Sequence, residues 1–139
     1  MNKPNYFKLE ITTPERTIFS GDVIQVKAPG KFGSFGVLVN HTPALFLLTV
    51  GHVDVLAVGG NRLFTVSGGY AKVQNNTMKI ISQAAEDAQI LDIEREREAL
   101  KQAKLAITQK MPKIEYKRAD AKLARATNRI SAAQKLGRA

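Results

Sequence analysis

Hydrophobic and polar positions follow two different patterns along this chain, one before residue 86 and one after it. In the first part they alternate in short runs, such as Tyr6–Ile11, His52–Val58 and Thr77–Ile81. Alternation with a period of two, interrupted by a turn signal about every eight to twelve residues, is typical of a β-sandwich or flattened barrel. The first part is therefore predicted to be antiparallel β structure nearly throughout.

Glycine and asparagine mark the expected turns, which fall at Ser20–Asp22, Gly59–Asn61, Gly68-Gly69 and Asn75-Asn76. These residues tolerate the positive φ angles that tight turns need. The segment Pro29–Leu45 departs from alternation and predicts a constrained loop, a short strand and a tight corner. Its glycine spacing matches neither a phosphate-binding loop nor a dinucleotide fingerprint, so backbone geometry is the expected role of those glycines.

The second part, Glu86–Lys135, contains no glycine and consists mainly of helix-forming residues. The proline at position 112 forbids one continuous helix, so two helices joined by a short turn are expected. Apolar and small residues recur there at heptad spacing: Ile93, Leu100, Ile107, Leu123 and Ile130, with alanines at 99, 103, 106, 119, 126 and 133. Alanine rows let two helices approach closely at the expense of apolar area, which predicts a hairpin of modest stability.

The predicted fold class is therefore α+β. We expect a β-sandwich domain at residues 1–86, followed by an antiparallel two-helix hairpin at residues 87–139. No stretch approaches the roughly 18 apolar residues of a membrane span, and no secretory signal is expected at the start of the chain.

Charge and residue content narrow the possible functions. The net charge of +9 permits an acidic protein, an anionic membrane surface or nucleic acid as partner. Nucleic acid is disfavoured, because the basic second part holds one aromatic residue, Tyr116, and several acids that would repel phosphates. The chain has no cysteine and two separated histidines, His41 and His52, so we expect no metal site, no catalytic site and no required cofactor. His41, which precedes Thr42-Pro43, is expected to be a hydrogen-bonded corner residue.

Four cations form a pattern of their own in the second helix. They are spaced four, three and four residues apart, which places them in one narrow stripe on the helix surface: Arg118, Lys122, Arg125 and Arg129. The spacing is compatible with a solvated basic face and with a surface for an acidic partner or phosphates.

Three stretches, taken in order, resemble the epsilon subunit of bacterial and chloroplast F-type ATP synthases. They are GSFGVLVNHTPAL at 33–45, FTVSGGYAKV at 64–73 and ILDIER at 90–95. The resemblance implies a ten-stranded β-sandwich that binds the gamma subunit and the c-ring. It also implies a helical hairpin that switches to an extended form and then inhibits ATP hydrolysis by the catalytic alpha and beta subunits.

The same resemblance implies a noncatalytic central-stalk subunit of a proton-translocating motor. Such a subunit is peripheral to the membrane, on the cytoplasmic face of the cell inner membrane. The alternative is a stand-alone β-sandwich interaction module whose basic helices bind RNA or an anionic membrane.

The resemblance also assigns roles to individual residues. His41 matches a family histidine near gamma, and Ser34 stands where some members carry an acid facing the c-ring. In the extended form, basic residues of the second helix face acidic segments of the catalytic subunits. The stripe from Arg118 to Arg129 is the counterpart of those residues here.

Some bacterial members bind ATP as a regulatory ligand on the folded hairpin, through a motif of the type (I/L)DxxRA with an upstream acid and later arginines. The implied ATP-binding residues here are Glu86, Asp92, Arg95, Arg125 and Arg129. Two positions depart from that pattern and weaken the expected affinity: a glutamate at 96 replaces the small residue, and a glutamine at 102 stands where another arginine occurs. The alternative is that Asp92 and Arg95 are an ordinary helix pair, with Glu86 as a first-turn acid.

Overall fold

The computed structural model describes residues 5–107 and 113–137, with side chains described except at residues 107 and 113–116. The chain divides into two compact units, Met1–Asp87 and Ala88–Ala139. In the described residues the first unit contains the strands, and the second contains a short 3-10 turn, Ala88–Ile90, and two α-helices. The predicted α+β class is confirmed.

One sheet of seven strands, counted over the described residues, closes on itself. The strands are β1 (Phe7–Thr12), β2 (Thr17–Gly30), β3 (Gly33–Leu38), β4 (Ala44–Ala57), β5 (Gly60–Gln74), β6 (Thr77–Ile81) and β7 (Ala85–Asp87). Hydrogen bonding runs in the order β1–β6–β5–β4–β2 and returns from β2 to β1, with β3 added on β2 and β7 on β5. The pairs are antiparallel except β1 with β6, which is parallel. Closure gives a flattened barrel and pairs strand edges that would otherwise be open.

The core of this unit follows directly from the alternating pattern. Phe7, Leu9 and Ile11 of β1 are buried, as are Met78 and Ile80 of β6, while the residues between them face outward. Burial of each such side chain contributes about 1.5–3 kcal/mol. Because the side-chain period is two, a slip of one residue would move the whole set to the solvent face, and this fixes the register of the strands.

Two of the predicted turns lie inside strands. Ser20–Asp22 belongs to β2, where Gly21 pairs with Leu9 of β1. Gly68 and Gly69 belong to β5 and have φ angles of 84° and 108°. Glycine lets a strand bend sharply without leaving the ladder, so β2, β4 and β5 run on for 14, 14 and 15 residues. The described residues therefore form seven strands, three of them long, and not the implied ten.

The glycine-rich segment is more regular than predicted. β3 pairs back on β2 through a two-residue turn between Gly30 and Gly33, and a corner with Asn40 at a φ of 60° leads into β4. The backbone N–H of Asn40 donates to Oδ1 of Asn76, 2.9 Å away. Asn75 and Asn76, at φ angles of 51° and 54°, form the two-residue turn between β5 and β6 that the sequence predicted.

The helices are α1 (Ile93–Ile107) and α2 (Lys113–Lys135), and they pack against each other as the predicted hairpin. The buried positions of their seam are mainly alanines: Ala103, Ala119, Ala126, Ala132 and Ala133. The larger apolar side chains at positions 93, 100 and 123 are only half-buried. A methyl group removes little area from water, so this contact stabilises the hairpin weakly. The predicted turn at Pro112 lies outside the described residues.

Replacing Gly69 with alanine should lower the free energy of unfolding by more than about 2 kcal/mol. A Cβ at this position would collide with the carbonyl oxygen of Ile81, and the φ of 108° is strained for any L side chain. The control is Gly59→Ala, because a Cβ there meets no atom within 4 Å. Urea unfolding of both variants checks this, and equal midpoints would contradict the close approach of β5 and β6.

Candidate functional site

An apolar row crosses the outer face of β4, β5 and β6. Leu47 pairs with Tyr70, and Tyr70 pairs with Ile81, so the three side chains point to the same side of the sheet. They are 53%, 41% and 37% exposed, and Leu45 beside them is 68% exposed. A single exposed apolar residue is ordinary, but a contiguous row over three strands is typical of a docking surface.

Cations border this row on one side. Leu45 pairs with Lys72 of β5, which in turn pairs with Lys79 of β6. Two lysines directly opposite each other repel, so this edge favours a partner that brings negative charge. An apolar centre with a charged rim is the usual anatomy of a protein–protein interface.

His41 lies at the corner between β3 and β4. Its Nδ1 donates a hydrogen bond to the carbonyl oxygen of Thr42, 2.6 Å away. Its ring meets Phe46 edge-on, with 6.3 Å between centroids, and Phe46 stacks on Phe35 at 3.8 Å. The imidazole is partly buried, as the sequence predicted for a corner residue, and no described carboxylate forms an ion pair with it.

A groove of about 650 Å³ lies between α1 and α2, within the second unit. It exists because the seam is built from alanines, which leave room that leucines would fill. The residues lining it are Ala99, Gln102, Ala103, Ala106, Arg118, Ala119, Lys122, Arg125, Ala126 and Arg129. All four cations of the stripe line this groove, and none of the lining residues that the structure describes is an acid, so its potential favours anions.

A partly buried ion pair joins the two helices. Nη1 of Arg129 on α2 donates to Oε2 of Glu96 on α1, with 3.3 Å between the atoms. The side chain of Glu96 is 10% exposed and that of Arg129 is 26% exposed. In the sequence Glu96 stood out only as a departure from a motif. Its partner Arg129 lies 33 residues away along the sequence, and the contact depends on how the two helices align.

Asp92 is the N-cap of α1. Its Oδ1 accepts a hydrogen bond from the backbone N–H of Arg95 at 3.1 Å, and its carbonyl oxygen accepts one from the N–H of Glu96 at 3.0 Å. An aspartate in this position satisfies amide groups that the first helical turn leaves unpaired. The side chain of Arg95 is exposed and does not line the groove.

Glu86 belongs to the first unit, on β7, where it pairs with Thr65 of β5. It is not a first-turn acid, because α1 begins only at Ile93. Of the five residues implied for ATP, the groove therefore brings Arg125 and Arg129 together and does not include Asp92 or Arg95.

Arg62 forms a cluster that no sequence signal indicated. Its guanidinium lies over the rings of Phe19 and Phe64, 5.3 Å and 5.4 Å from their centroids, and Nη2 donates to Oδ2 of Asp87 at 2.6 Å. Cation–π contacts and a short ion pair hold the start of β5 to the end of β7. The cluster therefore fixes the last residue of the first unit.

Within 5–107 and 113–137, no group of three or more histidine or acidic side chains is placed to hold a metal ion. The described helices include none long and apolar enough to span a bilayer.

Comparison with known proteins covers both units. Residues 6–88 match the family "ATP synthase, Delta/Epsilon chain, beta-sandwich domain", and residues 91–134 match "ATP synthase, Delta/Epsilon chain, long alpha-helix domain". The chain therefore belongs to the delta/epsilon chain family of ATP synthases.

Within this family, the chain is similar to epsilon chains of bacteria. The ATP synthase epsilon chain of Nitratidesulfovibrio vulgaris is 39% identical over 122 residues, which cover 88% of this chain and 91% of that one. The epsilon chain of Maridesulfovibrio salexigens is 41% identical over 132 residues, covering 93% of each. The resemblance to the F-type epsilon subunit is thereby confirmed, and the alternative of a stand-alone RNA- or membrane-binding module is not favoured.

Solved structures agree on the fold. A chain of the Euglena gracilis mitochondrial ATP synthase, from a structure of OSCP, F1 and the c-ring, superposes with a TM-score of 0.81 at 23% identity, covering 95% of this chain and 84% of that chain. A chain from the central stalk and c-ring of the Tetrahymena thermophila enzyme gives 0.59 at 18% identity, with 98% of each covered. These likenesses show the fold, and the family match makes the chain a subunit of an enzyme complex, the ATP synthase.

Replacing Asp92 with alanine should loosen the first turn of α1 by about 1 kcal/mol, because the cap acceptor is lost. Amide hydrogen exchange at residues 94–96 should then be about fivefold faster. Asp92→Asn keeps an acceptor oxygen and should retain near-native protection. Equal protection in the alanine and asparagine variants would show that the cap contributes nothing.

Proposed function

We propose that this chain couples rotation to catalysis in a proton-translocating ATP synthase and inhibits ATP hydrolysis through its helices, without catalysing a reaction itself. The observation that carries the proposal is that the two units present two different kinds of surface. An apolar strand face belongs to the sandwich, and a row of four cations belongs to α2. One surface serves assembly and the other serves regulation.

The sandwich docks on the gamma subunit through the row of Leu47, Tyr70 and Ile81. Covering these side chains removes apolar area from water, which is the dominant favourable term in association. The rim of Lys72 and Lys79 adds specificity for a gamma surface that carries acids. His41 contributes to the same partner from the nearby corner.

The c-ring contact falls on the hairpin between β2 and β3. Its turn holds Lys31 and Phe32, and Phe32 is 92% exposed. An exposed phenylalanine at the tip of a two-residue turn fits an apolar recess on a partner. Ser34 supplies no charge there, so this contact depends on shape and apolar area and not on an ion pair.

The helices supply inhibition. In the folded hairpin Arg125 and Arg129 are partly buried while Arg118 and Lys122 are exposed. An extended hairpin presents all four to acidic segments of the catalytic alpha and beta subunits. The switch requires that the two states differ by only a few kcal/mol, and a seam of alanines meets that requirement because it buries little area.

We also propose that ATP binds to the folded hairpin as a regulatory ligand. The groove is roomy and is lined by Arg118, Lys122, Arg125 and Arg129, and no acid is among its described lining residues. Phosphates that bridge these cations to α1 would hold the hairpin folded and keep it from inhibiting. The pair of Glu96 with Arg129 opposes such binding, so the affinity is low.

The subunit works peripheral to the membrane, on the cytoplasmic face of the cell inner membrane, and is held there by the complex. Support comes from the Euglena and Tetrahymena structures, whose descriptions name F1 or the central stalk together with the c-ring.

Replacing Leu47 with aspartate should weaken association with gamma at least about thirtyfold, because a charge enters the centre of the apolar row. The control is Val58→Asp, which adds the same charge at a residue that is 61% exposed in the turn between β4 and β5. Co-purification and titration with the cognate gamma subunit measure the effect. Equal loss in both variants would remove the row from the interface.

Replacing Arg118, Lys122, Arg125 and Arg129 together with alanine should raise ATP hydrolysis by the reconstituted complex about fivefold or more, with assembly unchanged. The charge-matched control removes four exposed cations that do not line the groove: Arg97, Lys101, Lys104 and Lys117. Loss of assembly in the first variant would mean that the helices, and not the sandwich, form the main docking surface.

A further inference from the structure

Glu96 is the one charged residue that is buried among those described, at 8% exposure. Burying a carboxylate is unfavourable unless a charge partner and hydrogen bonds compensate. Arg129 provides that compensation across the hairpin, with 3.3 Å between Nη1 and Oε2. The position of Glu96 is therefore tied to α2 being packed against α1.

Arg129 also lines the groove with Arg118, Lys122 and Arg125. In the described part of the chain none of those other three forms an ion pair with a carboxylate. Arg129 thus stands between two sources of negative charge, the buried Glu96 on one side and any anion that enters the groove on the other. A phosphate that reaches Arg129 meets the Glu96 carboxylate at close range, and like charges at short distance repel.

We propose that Glu96 is a built-in counter-anion of the groove. Its carboxylate holds Arg129, and with it α2, in the absence of any ligand, and it competes with the phosphates of a nucleoside triphosphate for the same guanidinium. The competition rests on the proposed nucleotide binding, whereas the ligand-free latch does not. The hairpin of this chain accordingly stays folded when nucleotide is scarce and responds to it weakly.

The weak seam makes this one contact important. The buried positions between the helices are mainly alanines, whose methyl groups hold the hairpin together with little apolar area. A partly buried ion pair then contributes a large share of the free-energy difference between the folded hairpin and an open one. Removing one partner leaves the other charge poorly hydrated, so the effect should exceed that of an exposed charge.

The test compares Glu96→Gln with Glu94→Gln in the full chain. Both remove one negative charge from the first turns of α1, but residue 94 is exposed and residue 96 is buried against Arg129. Calorimetric titration with ATP measures affinity, and amide hydrogen exchange over α2 without ATP measures the latch. We expect E96Q to bind ATP about tenfold more tightly than E94Q, and its α2 amides to exchange about tenfold faster until ATP is added.

Adding Arg125→Ala to E96Q should abolish the gain in affinity, which locates ATP in the groove. Equal ATP affinity in E96Q and E94Q would overturn the competition, and equal exchange over α2 would overturn the latch. If no variant binds ATP while E96Q alone exchanges faster, the latch stands and the regulatory role proposed for ATP fails. The ligand-free latch and the regulatory role of ATP can therefore be disproved separately.

Discussion

Closure of the sheet by β1 is the constraint on which the first unit depends. This six-residue strand pairs antiparallel with β2 on one side and parallel with β6 on the other, so it joins the two ends of the strand order. Its Phe7, Leu9 and Ile11 are buried in the core, and they fix the register of both neighbours. With the core filled from inside, the outer face is free to carry side chains that folding does not require. The apolar row of Leu47, Tyr70 and Ile81 lies there.

The second unit is built on the opposite principle. Its seam of alanines brings the helices close but buries little apolar area, and it leaves a groove where larger side chains would leave none. The cations of α2 line that groove, and one of them is held by a carboxylate from α1. Capping at both ends offsets part of the weakness, through Asp92 at the start of α1 and Gly137, at a φ of 76°, after the end of α2. The result is a hairpin held together by little buried apolar area.

These two constructions suit the two roles proposed for the chain. A docking platform should not change shape when its partner turns, and a closed sheet with a packed core resists deformation. A regulatory element must change shape at modest cost, which a small seam allows. The Glu96–Arg129 pair meets part of both requirements. It strengthens the folded hairpin, but it does so through one contact that an anion could replace.

The sequence by itself determined the α+β order, the alanine seam and the turn at Asn75-Asn76, because these depend on local periodicity and on backbone preferences of single residues. It could not decide whether Gly21, Gly68 and Gly69 make turns or bends, since glycine permits both and only pairing with a neighbouring strand selects one. Nor could the apolar run Ala44–Leu48 reveal which side faces water, because it has no alternation to read. The pairing of Glu96 with Arg129 and the stacking of Arg62 on Phe19 and Phe64 join residues distant in sequence. Only the alignment of packed elements brings such partners together, and that is a property of the tertiary structure.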